Sequence, residues 1–250
     1  MGLLDNRVAV ISGAGRERGI GKATARLFVE HGARVAMLDL DEAEVRAAAA
    51  DIGPQAIGIA CDVRSAADCH AAVERAMAWA GPIDVLVNNA GVTQKRGVVD
   101  IGDDDYELVT GVVLKGTLNL SQAVIPVMRA RRSGAIVCVS SMSAQQGGGV
   151  FGGAHYCAAK AGVQGLARAM ARELGPDNIR VNSIAPGLIL TDFSRSGSTD
   201  EAKHAIAQAW PMRRAGSPGE VAGVCLFLAS GLASFMTGAT LDVNGGAHIH

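Results

Sequence analysis

Short β-branched runs alternate with alanine-rich helical stretches from one end of this 250-residue chain to the other. The runs at 7–12, 34–38, 56–61, 83–88, 135–140, 179–185 and 240–243 read as strands, and most are apolar nearly throughout. A strand solvated on one face alternates apolar with polar residues; one covered on both faces does not. Between them, 19–31, 41–52, 65–80, 104–132, 155–174 and 217–230 carry helical patterning. Parallel strands joined by a helix close as right-handed crossovers. The alternation therefore predicts a doubly wound α/β architecture, a parallel sheet of about seven strands with helices on both faces. No Pro/Gly/Ser linker divides the chain, so residues 1–250 read as one domain. The segment 192–215 breaks the rhythm with a short helix at about 199–210, and reads either as a lid over a pocket or as a surface excursion.

Composition excludes several function classes. With 49% hydrophobic and 19% charged residues the chain can bury a large core, unlike a disordered sequence. A net charge of −1 without blocks of like charge gives no basis for nucleic-acid or membrane-surface partners. Cys61, Cys69, Cys138, Cys157 and Cys225 are scattered, odd in number and without a CxxC pair, as expected of buried thiols in a reducing compartment. The N-terminus reaches a strand almost at once, leaving no room for a signal peptide, and Asn6 spoils the myristoylation pattern that Met1-Gly2 begins. No apolar run approaches a membrane span, so a soluble, cytoplasmic protein is expected. The terminal "AHIH" places His248 and His250 in an HxH pattern that reads as a frayed tail, and no metal site is expected.

The stretch "ISGAGRERGIG" (11–21) joins the first strand to the first helix. Gly13 and Gly15 follow the strand; Gly19 and Gly21, with Ile20 between them, open the helix. Glycines allow the sharp turn and close approach that a phosphate requires, and a helix N-terminus offers free N–H groups to an anion. Asp39 ends the second strand, 18 residues past Gly21. A carboxylate at that spacing bonds the adenosine ribose hydroxyls of a dinucleotide and repels a 2′-phosphate, favouring NAD over NADP. Arg16 and Arg18 pull the other way, toward a 2′-phosphate, unless they serve the pyrophosphate or solvent.

Four further stretches occur in order: "CDV" (61–63), "NNAG" (88–91), "YCAAK" (156–160) and "PGLILTD" (186–192). With the glycine loop and the closing "GATLDVNGG" (238–246), they make the chain resemble the short-chain dehydrogenase/reductase family over essentially its whole length. The resemblance implies a Rossmann fold in which Gly13, Arg18, Gly19, Ile20, Asp39 and Leu40 meet the cofactor's adenosine and phosphates. It implies that Asp62 bonds the adenine amino group beside the Val63 backbone, and that Asn89, Ala90 and Gly91 form a turn under the adenosine ribose and pyrophosphate. Pro186, Gly187 and Ile189 would receive the nicotinamide carboxamide, with Thr191 reaching the pyrophosphate or amide. Tyr156 and Lys160 stand one helical turn apart on one face, so an ammonium there, together with the positive nicotinamide ring, should lower the phenol's pKa and fit it for proton transfer. Lys160 would also bond the nicotinamide ribose. Ser141, rather than its neighbours Ser140 or Ser143, would donate to the substrate oxygen.

Two departures from the family pattern stand out. Gly13 and Gly19 are separated by five residues rather than three, so Arg18 loses value as an NADP marker. Val113 occupies the "NLKG" position at which the family commonly carries an asparagine that holds a relay water. Backbone groups could hold that water, another side chain could, or turnover could be impaired, leaving a dinucleotide sensor or scaffold. These features together point to an NAD(H)-dependent oxidoreductase, interconverting a secondary alcohol and a ketone with Tyr156 as general acid/base. The enzymatic alternative is an NADPH-dependent 3-oxoacyl-thioester reductase. Thr93, Gln94, Ala144, Gln145, Val150, Phe151, Leu188, Phe193 and Trp210 are the expected pocket residues. Family resemblance further implies a homotetramer or homodimer assembled through 104–132, 155–174 and 217–243.

Overall fold

The computed structural model describes residues 2–148, 152–193 and 199–249. Its strands are β1 (Val8–Ser12), β2 (Arg34–Asp39), β3 (Ala56–Ala60), β4 (Val85–Asn88), β5 (Gly134–Val139), β6 (Ile179–Pro186) and β7 (Thr240–Val243). They form one sheet in the order β3-β2-β1-β4-β5-β6-β7, parallel at every pairing. The doubly wound expectation holds. Strand order reverses between β1 and β4, and a crevice opens there beyond the carboxyl ends of the strands.

Consecutive strand residues point to opposite faces, and each face has its own core. On one face Val10, Leu38, Leu86 and Ile136 pack against α3 (Ala66–Ala80), α5 (Gly116–Arg131) and α7 (Ala154–Leu174). On the other, Ile11, Met37, Val87 and Ile184 pack against α1 (Ile20–Glu30), α2 (Glu42–Ile52) and α9 (Pro218–Ala229). Most helix ends fall within a residue or two of the expected ones, where caps decide them. Asp41 and Ser65 accept the backbone N–H groups of Glu44 and Asp68, and Ser217 with Glu220 forms a capping box. β4 starts two residues later than expected, and Asp84 just before it serves as an anchor. Its buried carboxylate accepts from Val8 N–H at 2.9 Å, Arg7 at 2.9 Å and Arg131 at 3.0 Å, tying β1 and the end of α5 to one point.

The expected helix 104–132 is not uniform. It runs as α4 (Asp103–Thr110), a π-helical turn (Gly111–Lys115) and α5, the Gly116 N–H reaching back five residues to the Gly111 carbonyl. Asp103–Arg131 is also long and apolar enough, by length and composition, to cross a bilayer, contrary to the expectation that no such run exists. Leu120, Val124 and Met128 on it are instead buried against the sheet, as in the core helix of a globular protein. A short helix that the sequence pattern did not predict, α6 (Ser143–Gln146), follows β5. In the 192–215 excursion the helix is α8 (Asp200–Ala207), shorter than expected; residues 194–198 lie outside the described residues. Among the described residues all five cysteines are free, and all but Cys157 are buried.

Candidate active site

The site is built at the carboxyl ends of β1 to β6 and in the turns that leave them. Ser12 ends β1, and its hydroxyl accepts from the backbone N–H groups of Asn89 and Ala90, each at 3.0 Å. In return the Asn89 amide donates to the carbonyls of Ser12 at 3.0 Å and Gly13 at 2.8 Å. These bonds staple the turn after β4 to the glycine loop. Gly13 takes φ +65°, and a Cβ there would stand 2.8 Å from Ala90 Cα, so no other residue fits without displacing the turn. Gly19 caps α1, whose first N–H groups face the crevice without an acidic residue in the first turn.

Asp39 is fixed by the backbone. Its Oδ2 accepts from Gly15 N–H and its Oδ1 from Leu40 N–H, both at 2.8 Å. Asp41 and Glu44 line the cavity beyond it. Asp62 accepts two bonds from the Arg64 guanidinium and one from the Arg64 backbone, and that cation holds its carboxyl below the usual range.

At the other end, Ser141 follows β5; its hydroxyl accepts from Ser143 N–H at 3.1 Å and stands near enough to the Tyr156 phenol to oppose in part the upward push of burial on it. Ser140 plays a different part. Its hydroxyl donates to the Lys160 carbonyl at 2.9 Å and accepts from Gln164 at 3.1 Å, locking α7 to β5. Lys160 lies below the Tyr156 ring, 5.9 Å from its centroid, and donates to the Val139 carbonyl at 2.6 Å. Burial pushes Tyr156 up to about 12 and Lys160 down to about 8. The depressed phenol expected from the i, i+4 pair is therefore not delivered by the lysine. Desolvation dominates, and the ammonium points at a carbonyl rather than the hydroxyl.

These groups share one cavity of about 660 Å³, which runs from Asp39, Leu40, Asp62 and Val63 past Gly13, Gly19 and Ile20 to Ser141, Tyr156 and Lys160. Asn89, Ala90, Gly91, Pro186, Gly187, Ile189 and Thr191 complete its walls. Arg18 departs from this pattern. It does not line the cavity, and its guanidinium bonds Asp200 at 2.5 Å. Of the expected pocket residues, Thr93, Leu188, Phe193 and Trp210 line the substrate end, and the Phe193 ring lies 6.4 Å from that of Tyr156. Gln94, Ala144 and Gln145 do not line it. Gln94 bonds the buried His155 ring at 3.2 Å, and Gln145 donates to Asp242 at 3.1 Å. Val150 and Phe151 lie outside the described residues. Val113 is buried in the apolar cluster that holds Tyr156, Ala159 and Val163, while Asn119 donates to the Val63 and Arg64 carbonyls, at the Asp62 end of the cavity rather than beside Tyr156.

A family model described as "Enoyl-(Acyl carrier protein) reductase" matches residues 13–248, and a relative from Sinorhizobium fredii, an uncharacterized short-chain type dehydrogenase/reductase (y4mP), is 51% identical over 99% of this chain and 100% of its own. The chain is a short-chain dehydrogenase/reductase. It is also similar to the 3-oxoacyl-(acyl-carrier-protein) reductase FabG of Chlamydia muridarum, 39% identical over 98% of both chains. A solved short-chain type dehydrogenase/reductase from Mycobacterium marinum superposes with a TM-score of 0.92 at 31% identity, covering 99% of this chain and 97% of that one. As a member of the family the protein is an oxidoreductase that binds a nicotinamide dinucleotide. The residues present fit such a cofactor: an open helix N-terminus, close-packed glycines and a backbone-fixed acid lie along one elongated cavity. Sequence reasoning missed Ser12 and Lys203. Ser12 sits beside the glycine loop and could have been suspected; Lys203, deep in the cavity wall, carries no local signal.

Proposed function

We propose that this short-chain dehydrogenase/reductase interconverts a secondary alcohol and a ketone with NAD(H). The observation that carries the reading is the meeting of Ser141, Tyr156 and Lys160 at the end of a cavity whose far end is walled by acids. Bound there, the nicotinamide supplies the acceptor or donor of hydride. Tyr156 takes the hydroxyl proton of an alcohol, or returns it to a carbonyl, through its phenolic oxygen. Ser141 donates to the substrate oxygen and keeps the phenol oriented. Lys160 places its charge beneath the phenol and has N–H donors beyond the one spent on Val139. Asp39, Asp41, Glu44 and Asp62 oppose a 2′-phosphate, with Arg64 already engaged by Asp62; this supports NAD.

Apolar walls at Leu188, Phe193 and Trp210 suit an uncharged or weakly polar substrate. The FabG relatives favour a second reading, reduction of a 3-oxoacyl thioester, and parallel assays of that reduction and of simple alcohol oxidation separate the two. Tyr156→Phe tests the central assignment. Turnover is expected to fall by roughly 100-fold or more while NADH affinity stays within a few-fold, and undiminished turnover overturns it. The exposed side chains of Tyr106, Leu108 and Leu118 on α4 and α5, and of Leu232 and Phe235 near the C-terminus, support a homotetramer or homodimer. Sedimentation at the mass of a single chain contradicts that assembly. Free thiols are consistent with a cytoplasmic setting.

A further inference from the structure

Lys203 is a lysine where a lysine is costly. It sits on α8 at 2% exposure, and its ammonium donates to the Thr191 carbonyl at 2.7 Å. Among the described residues no carboxylate lies within 4.0 Å of it, and burial draws its pKa down. An ammonium has three donors, and a buried cation held by one neutral acceptor is incompletely compensated. The group lines the dinucleotide cavity together with Gly19, Ile20 and Thr191, on the stretch of wall that includes the N-terminus of α1.

The two arginines of the glycine loop explain how it is held there. Arg16 donates to the Asp192 carbonyl at 3.0 Å, the Arg18 N–H to the Asp192 carboxylate at 3.4 Å, and the Arg18 guanidinium to Asp200 at 2.5 Å. Glu17, between them, is engaged by Lys22. The loop thus grips the chain on either side of 194–198 and presents α8 to the start of α1. Asp192 and Asp200 are the carboxylates near enough to act on Lys203, and both are already engaged by Arg18.

We propose that Lys203 binds the diphosphate of the dinucleotide, brought to the α1 N-terminus by the contacts of Arg16 and Arg18 with Asp192 and Asp200. This rests on the dinucleotide-binding reading above. It gives the longer glycine loop a purpose: its arginines organise a phosphate ligand on a distant helix rather than reading a 2′-phosphate.

The test is calorimetric titration of Lys203→Gln and Lys203→Arg with NADH, ADP-ribose and adenosine. In Lys203→Gln, NADH and ADP-ribose are expected to bind roughly 10-fold or more weakly, the loss of a charge-assisted bond, with adenosine unchanged; Lys203→Arg recovers most of the loss. Equal weakening of all three ligands, or of none, overturns the inference. If Lys203→Gln does not fold, Arg18→Ala, at a partly exposed position, must weaken NADH several-fold and spare adenosine; no effect, or an equal effect on both, overturns it. Wild-type protein that binds none of the three refutes the dinucleotide reading itself.

Discussion

Two buried groups of the site act in opposite directions on the alkaline stability of the cofactor-free protein. Lys160 titrates at about 8 when folded, against an ordinary 10.5, because burial disfavours its charge. Between those values the unfolded chain binds the extra proton, so stability rises with pH from about 8 to about 10.5. Tyr156, raised from 10.0 to about 12, acts in the opposite direction and only above pH 10, where the folded phenol keeps a proton that the unfolded one loses. Below about 8 the desolvation cost of the ammonium is fully present. Lys160→Met removes that cost together with the bond to Val139. Its stability relative to wild type should be most favourable near pH 7 and decline toward pH 10, by roughly 3 kcal/mol at most. Thermal unfolding of both proteins across that range checks it, and a difference independent of pH shows that Lys160 does not titrate in this window. The mechanistic counterpart is that Tyr156 stays protonated in the free protein at neutral pH, as suits a proton donor to a carbonyl.

The π-helical turn between α4 and α5 carries Val113, at the position where the family commonly has an asparagine. Val113 lies on it with its side chain in the apolar cluster around Tyr156, and its carbonyl accepts from Thr117 Oγ1 at 2.8 Å. Valine offers no group to hold a relay water, and an asparagine there would supply one at the cost of burying an amide in an apolar cluster. Val113→Asn is expected to preserve or raise turnover per folded molecule and to lower stability by about 1–3 kcal/mol; steady-state kinetics and melting measured together decide, and a large loss of turnover in a folded variant shows that the helix is built around valine. The turn was invisible in the sequence because nothing in "GVVLKG" breaks a helical pattern; the extra residue shows only in the hydrogen bond from Gly116 to Gly111. The strands were legible because burial on both faces leaves near-continuous apolar runs, and Ser141, Tyr156 and Lys160 because strand end and i, i+4 spacing are local features. Gln94 and Gln145 were misjudged for the converse reason. Proximity to the pocket in sequence does not fix where an amide points, and each found a polar partner outside it. Arg18 bonds Asp200, 182 positions away, and Lys203 lines a cavity whose other walls come from distant parts of the chain, which no local pattern reports.

Across the whole molecule, one sheet edge gathers groups from six strands into a single elongated cavity, with proton-transfer groups at one end and a cluster of acids at the other. The acid-lined end makes the sharpest claim, that charge selects the cofactor. Asp39 is held by two backbone N–H groups and has little freedom to turn away from a 2′-phosphate, while Arg18 is bonded to the Asp200 carboxylate and Arg16, which lines the cavity, gives one N–H to the Asp192 carbonyl. Trp210 lines the cavity and reports on it, whereas Trp79 lies under Arg34, 4.3 Å from its guanidinium to the ring centroid, and serves as the reference fluorophore. The decisive measurement is a parallel titration with NADH and NADPH, monitored by quenching of tryptophan fluorescence. NADH binding at least roughly 10-fold tighter is the expected result, the cost of placing a phosphate beside a fixed carboxylate. NADPH binding as tightly or more tightly would contradict the account at its centre, and would return the arginines of the glycine loop to the 2′-phosphate.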